Sequence, residues 1–187
     1  MKREYLGDSY DAVKRLWQQI LADWAPLYAE PRFIPEDLRD DFTRLTGIPT
    51  LPAQRPAKYS TLNDPDTGIR LPGEENQAEG RTHIAVTTIV QQLRTDAPRC
   101  VITFDQSDYR NSDLQRDEQR QVKLRYLRDH GIPAFYFVSH APFLFAFPNA
   151  EALLELEQRL AQAGIPAIRF ERVQQDAEPG AAADGGA

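Results

Sequence analysis

The sequence predicts an α/β protein of the three-layer, Rossmann-like type, with a mostly parallel sheet and helices on both of its faces. Short apolar runs of strand length alternate with longer segments in which apolar residues recur every three or four positions. A helix-Gly-Ile-Pro-Ala-strand step occurs at Gly131 and again at Gly164, and residues 47–49 form a partial third copy. Because glycine ends a helix and proline prevents its continuation, this repetition indicates alternating helices and strands. Such alternation favours a parallel sheet.

Composition and charge indicate a single globular domain. The chain has 187 residues, of which 41% are hydrophobic and 27% are charged, and a chain of this length buries about 70% of its extended surface on folding. We expect residues 1–175 to form the domain and the Ala/Gly-rich residues 176–187 to be a disordered tail. The net charge of −6 argues against broad nonspecific binding of nucleic acid, which depends on neutralising phosphates.

Neither a membrane span nor a secretory signal is expected. No segment approaches the ~20 consecutive apolar residues of a membrane helix, and no apolar run follows the basic start of the chain. The one cysteine, Cys100, cannot form an internal disulfide and stands beside an apolar run, which fits a buried thiol in a reducing compartment. We therefore expect a cytoplasmic protein that does not contact membranes.

The N-terminal half is predicted from apolar periodicity and from capping residues. Asp8 or Ser9 can cap the first helix, and Thr82 can cap the third. We predict, in order, a strand over 3–7, a helix over 10–24, an extended segment over 26–33, a helix from Pro35 to Gly47 and a helix over 83–94.

Residues 49–80 stand apart because they are rich in proline and polar residues. A structureless loop of that length is unusual in a compact domain, so we predict either a functional lid or a poorly ordered insert. Asp64-Pro65-Asp66-Thr67-Gly68 within it is a turn signature.

The C-terminal half continues the alternation. Asn149 is expected to cap the last helix, and a bend is expected between the apolar runs 134–138 and 142–147. We predict, in order, a strand over 100–104, a helix over 112–129, strands over 134–138 and 142–147, a helix over 150–163 and a strand over 167–173.

Two carboxylates directly follow predicted strands: Asp8 after residues 3–7, and Asp105 after residues 100–104. Ligands of open α/β sheets bind outside the carboxyl ends of the strands. Magnesium prefers hard oxygen ligands, so Asp8 and Asp105 are candidate catalytic ligands of a divalent cation, and Asp108 could supply a third oxygen. The alternative is that these aspartates only cap the helices that follow them.

Further polar residues fall beside these acids. His140 follows the strand over 134–138 and is a candidate catalytic acid or base if that strand neighbours residues 100–104. The alternative for His140 is a buried histidine that is hydrogen-bonded at a strand end. The candidate substrate-binding residues are Ser9, Ser107, Tyr109 and Arg110, with Arg110 contacting phosphate.

The segment Ile102-Thr-Phe-Asp105-Gln-Ser-Asp108-Tyr109, with the strand that ends at Asp8, resembles the acidic motifs of PIN/NYN-like nucleases. The segment over 127–137 resembles the helix-Gly-strand step that follows in that group. The resemblance implies an α/β fold and clustered acids that use magnesium or manganese to cut RNA. The sequence departs from the family pattern by an extra residue between Asp105 and Asp108, and by Asp11 where the family has asparagine.

The sequence therefore favours a metal-dependent phosphodiester or phosphate-ester hydrolase, such as a nuclease, with Mg²⁺ or Mn²⁺ as cofactor. Its partner would be RNA or a phosphorylated small molecule. The alternative is a non-catalytic binding or regulatory module that uses the strand-end crevice for a ligand or a protein. The sequence leaves the substrate, the strand order and the oligomeric state open.

Overall fold

The computed structural model describes residues 3–74, 76, 80–106 and 114–174, and within this part the chain is an α/β protein, as predicted. The helices are α1 (Ser9–Leu21), α2 (Arg39–Thr46), α3 (Val86–Thr95), α4 (Arg116–Asp129) and α5 (Ala150–Gln162). The strands are β1 (Leu27–Ala29), β2 (Ser60–Asn63), β3 (Gly68–Arg70), β4 (His83–Ala85), β5 (Val101–Phe104), β6 (Ala134–Phe137), β7 (Phe143–Ala146) and β8 (Phe170–Glu171).

Six of these strands form one mixed sheet in the order β1-β2-β5-β7-β6-β8, and β3 and β4 form a small parallel pair. β1, β2 and β5 are parallel neighbours. β7 runs antiparallel to both β5 and β6, and β8 runs antiparallel to β6. Most of the strands in the sheet therefore share one direction, with β7 and β8 reversed. The predicted bend after residues 134–138 produces the β6–β7 hairpin.

The expectation of a strand over residues 3–7 is wrong. Residues Arg3–Tyr5 form a short 3₁₀ helix that lies outside the sheet. The amide of Leu6 closes this turn on the Arg3 carbonyl at 3.2 Å, and Gly7 has a φ of 83° that redirects the chain into α1. A local turn followed by a left-handed residue cannot continue as an extended strand.

The expectation of a structureless segment over residues 49–80 is also wrong for its described residues, which contain β2 and β3. β2 lies in this segment and is a central strand, paired with β1 on one side and β5 on the other. Its four residues are all buried although three of them are polar. The side-chain NH₂ of Asn63 uses both of its donors, one to Gln92 Oε1 at 2.8 Å and one to Thr103 Oγ1 at 3.2 Å. A polar strand of this kind has little apolar periodicity, so the sequence pattern does not predict it.

Other helices and strands begin or end a few residues away from their predicted boundaries. Residues 83–85 form β4, so the third helix begins at Val86 and not at His83, and its N-cap is Ala85 and not Thr82. α4 begins at Arg116, where Gln115 and Glu118 form a reciprocal capping box. The predicted strand over 167–173 is shortened by a 3₁₀ turn to the two residues of β8. The cap at Asn149 is confirmed.

The core is a three-layer arrangement around the sheet. On one face, Trp17 of α1 packs edge-on against Phe137, Phe143 and Phe145, with ring centroids 4.9, 6.1 and 5.3 Å away. Because side chains alternate along a strand, intervening residues such as Tyr136 project to the opposite face, where α4 packs. Burial of the Cys100 thiol raises its pKa well above the ordinary value, consistent with a structural cysteine.

None of the helices in the described part of the chain has the length and apolar character needed to cross a membrane.

Candidate functional site

A pocket of about 320 Å³ opens outside the carboxyl ends of β2 and β5. Asp64 follows β2 directly, and Phe104 is the last residue of β5. The first turns of α1 close the other side. This is the edge where open α/β sheets bind ligands. The lining residues are Tyr5, Asp8, Tyr10, Lys14, Asp64, Pro65, Asp66, Phe104 and Gln106.

A buried ion-pair triad lies at the floor of the pocket, where two of its members, Lys14 and Asp64, belong to the lining. The Lys14 ammonium donates to Asp64 Oδ2 at 2.8 Å and to Asp11 Oδ1 at 3.0 Å, and all three side chains are buried. Burial alone would lower the pKa of Lys14, but the attraction of Asp64 and Asp11 outweighs it and the pKa is raised. Burial raises the pKa of Asp64, and Lys14 offsets only part of that effect. The second oxygen of Asp11 accepts from the Gly7 amide at 2.8 Å.

Asp8 serves as the N-cap of α1, which confirms one of the two roles considered for it. Its Oδ1 accepts from the amides of Tyr10 and Asp11 at 2.8 and 3.2 Å. Among the described residues its other oxygen, Oδ2, accepts no hydrogen bond, although Asp8 lines the pocket. Capping therefore leaves half of this carboxylate available to a ligand.

Asp105 has a different environment from the one expected of an open metal ligand. Its Oδ2 accepts from Lys123 Nζ at 2.7 Å and from Tyr136 Oη at 2.6 Å, and its Oδ1 accepts from the Ile69 amide at 3.0 Å. The side chains of Asp105 and Lys123 are both 0% exposed. Burial raises the pKa of Asp105, but Lys123, Tyr136 and the Ile69 amide together hold it below its usual value.

The Asp105 network also positions the loop that carries the pocket acids. Gly68 passes so close to Asp105 that a Cβ there would lie well inside van der Waals contact with Oδ1 and 3.1 Å from the Gln106 amide nitrogen. The Gln106 amide donates to the Thr67 carbonyl at 3.0 Å. Residues 64–66 thus lead into a backbone segment that is held on the end of β5.

His140 lies near the pocket, but for a reason that the sequence did not indicate. β7 separates β6 from β5, so the condition on which the catalytic role of His140 depended, direct neighbouring of these two strands, is not met. His140 is exposed, which excludes the buried alternative. Its ring stacks with that of Tyr10 at a centroid distance of 5.8 Å, and Tyr10 in turn contacts Phe104 at 5.3 Å. His140 is therefore placed beside a wall of the pocket.

The remaining sequence candidates fall into two groups. Ser9 is exposed at the first position of α1, next to the capping Asp8. Ser107, Asp108, Tyr109 and Arg110 lie outside the described residues, so their predicted roles stay predictions.

Sequence reasoning missed the contributions of Lys14, Asp64 and Asp66. The turn signature around Asp64 and Asp66 does not reveal β2, the strand that delivers both residues to the sheet edge. The available signal was the Asp-Pro-Asp-Thr-Gly segment directly after Ser60–Asn63. The spacing of Asp11 and Lys14 by three residues was a second signal, since it places both on one face of α1.

The described residues do not assemble three or more histidine, cysteine, aspartate or glutamate side chains into a group that could hold a metal ion. A site built here would therefore use fewer protein ligands. Magnesium often binds in that way, through one or two carboxylates, several waters and the substrate phosphate.

Comparisons of the chain with protein-family models, with curated proteins and with solved structures found no match. The resemblance to PIN/NYN-like nucleases therefore stays a prediction from short motifs.

Proposed function

We propose that the strand-end pocket binds Mg²⁺ or Mn²⁺ and hydrolyses a phosphate ester or phosphodiester, with RNA or a phosphorylated small molecule as substrate. The observation that carries this proposal is the convergence of Asp8, Asp64 and Asp66 on one pocket at the carboxyl ends of parallel strands. Three carboxylates there outnumber the one lysine of the lining, which favours a cation.

The residues that would hold the ion differ from the set expected from the sequence. Asp8 contributes the oxygen that capping leaves available, and Asp66 is an exposed carboxylate of the same pocket. Asp64 is already paired with Lys14, and Asp105 is enclosed by Lys123, Tyr136 and the Ile69 amide. Asp108 keeps its predicted place as a further ligand. When bound, the ion would supply an activated water and offset charge on the phosphoryl oxygens.

The other pocket residues fit the handling of an ester. Phe104 and Tyr10 provide an aromatic wall for the organic part of the substrate. The imidazole of His140, which stacks on Tyr10, would give or take a proton for a substrate held in the pocket.

Substitution of Asp8 tests this proposal. Asp8→Asn keeps the N-cap, because asparagine and aspartate are near-equal caps. Asp23→Asn is a matched control, since Asp23 is exposed just beyond α1 and does not line the pocket. Thermal unfolding is followed while Mn²⁺ is titrated, and hydrolysis of bis(p-nitrophenyl) phosphate, p-nitrophenyl phosphate and a short RNA is measured.

We expect Mn²⁺ to stabilise the wild type and Asp23→Asn by about 2.7 kcal/mol at a hundredfold excess over Kd. Asp8→Asn should lose both this stabilisation and the Mn²⁺-dependent hydrolysis. The absence of stabilisation in the wild type, or equal stabilisation of Asp8→Asn, would contradict the proposal.

A non-catalytic binding module is the second candidate, and the enclosure of Asp105 favours it. A carboxylate expected to coordinate a metal instead holds the fold together through Lys123 and Tyr136. Binding of a ligand in the pocket without metal-dependent hydrolysis of any of the three substrates would favour this function.

A further inference from the structure

The Lys14 ammonium has one N–H donor that is not used in the ion-pair triad. An ammonium group has three N–H donors. Two of the three on Lys14 are accounted for by Asp64 Oδ2 and Asp11 Oδ1. Among the described residues no acceptor is found for the third.

The surroundings of Lys14 restrict where such an acceptor could come from. The side chain is 5% exposed, and the residue belongs to the lining of the pocket. The Phe42 ring, with its centroid 5.7 Å from Nζ, offers a cation–π contact but no oxygen acceptor. A ligand oxygen in the pocket is therefore the partner that would complete the bonding of this ammonium.

We infer that Lys14 is a substrate-binding residue that donates its third N–H to an oxygen of a phosphate group. The inference rests on the proposed function and deepens it, because it assigns the phosphate end of the substrate to the floor of the pocket. A lysine ammonium is a common point-charge ligand of phosphate. The two carboxylates that fix Lys14 also keep it protonated, so its charge is present at neutral pH.

The same two carboxylates determine how phosphate should bind. Asp11 and Asp64 outweigh the single charge of Lys14, so the triad behind the pocket floor carries excess negative charge. A phosphate dianion approaching it is repelled unless a cation lies beside it. Phosphate binding to Lys14 should therefore be strengthened by Mg²⁺ held at Asp8 and Asp66.

Nitrogen-15 NMR of the lysine ammonium groups tests the inference in the unaltered protein. Buried ammonium protons exchange slowly with water, which makes Lys14 and Lys123 observable. Lys123 is an internal control, because it is buried against Asp105 and does not line the pocket. Inorganic phosphate is titrated in Mg²⁺ and, separately, in EDTA.

We expect the Lys14 resonance to move and saturate with phosphate in Mg²⁺ while the Lys123 resonance stays in place. A stationary Lys14 resonance in both Mg²⁺ and EDTA would overturn the inference. Equal movement of both resonances would do the same, because it would report a general effect of phosphate.

A charge-matched pair of variants gives a second measurement. Lys14→Gln removes the ammonium, and Arg15→Gln removes one charge from the exposed neighbouring position on α1. Phosphate in Mg²⁺ should raise the melting temperature of the wild type and Arg15→Gln, and should not raise that of Lys14→Gln. Equal stabilisation of all three would refute a role for Lys14. If Lys14→Gln does not fold, the NMR titration of the unaltered protein alone tests whether Lys14 binds phosphate.

Failure of this inference is distinguishable from failure of the proposed function. One outcome is Mn²⁺ stabilisation that depends on Asp8, with Mn²⁺-dependent hydrolysis but a stationary Lys14 resonance. It would reject the phosphate-binding role of Lys14 and support the proposed hydrolase function. A Lys14 resonance that responds to phosphate in EDTA, with no metal-dependent hydrolysis, would support the phosphate site and reject the hydrolase.

Discussion

Asp105→Asn separates a structural role from a metal-binding role, because the substituted group is isosteric and uncharged. In the wild type, Asp105 Oδ2 accepts from Lys123 Nζ and Tyr136 Oη, while Oδ1 accepts from the Ile69 amide. If the asparagine oxygen keeps the Ile69 bond, its NH₂ group faces the ammonium of Lys123, a donor. The variant thus removes the carboxylate charge that pairs with the buried Lys123 ammonium.

Removal of one partner from a buried ion pair costs about 3–5 kcal/mol. For a protein of this size, each kcal/mol lowers the melting temperature by about 2–4 °C, so Asp105→Asn should melt roughly 6–20 °C below the wild type. Asp8→Asn is the matched control and should melt close to the wild type, since asparagine is an equally good N-cap. Urea unfolding at neutral pH in EDTA gives the free energies without any contribution from a metal.

A second substitution tests whether the buried charge of Lys123, without the Asp105 carboxylate, causes the loss of stability. Lys123→Met in the Asp105→Asn background removes the buried ammonium group and leaves the asparagine NH₂ able to donate to Tyr136 Oη. Apolar replacement of a buried ion pair is often neutral or stabilising, so the double variant should recover most of the loss. A fall of less than 1 kcal/mol for Asp105→Asn, or no recovery in the double variant, would refute the reasoning.

Three further predictions concern the same region. Gly68→Ala places a methyl group against Asp105 and keeps a φ of 149° that alanine rarely adopts, so urea unfolding should show a loss of about 1–3 kcal/mol or more; unchanged stability would contradict the close approach. Tyr136→Phe removes a hydrogen bond to a buried carboxylate and should cost about 1.5–3 kcal/mol by the same assay. Because the pKa of Asp105 is lowered on folding, its contribution is present above about pH 4 and is lost as the pH falls further. Between pH 5 and 2 the stability of Asp105→Asn should therefore depend less on pH than that of the wild type, and equal slopes would contradict this.

The sequence by itself determined the features that depend on neighbouring residues. The α/β class, the amphipathic helix after Asp8, the cap at Asn149 and the helix ends at Gly131 and Gly164 all follow from periodicity, capping and left-handed glycines within a few positions. Such interactions are complete within one or two turns of chain, so they leave a readable local pattern.

Only the tertiary structure decided what the acids do. β2 is recognisable as a strand because β1 and β5 flank it, and its polar residues carry no apolar pattern. The partner of Asp105 is Lys123, 18 residues away, and the partner of Asp64 is Lys14, 50 residues away. A carboxylate followed by a helix looks the same in sequence whether its oxygens are enclosed by distant donors or open to a pocket. Burial and long-range pairing distinguish these two cases, and both are set by how the layers pack.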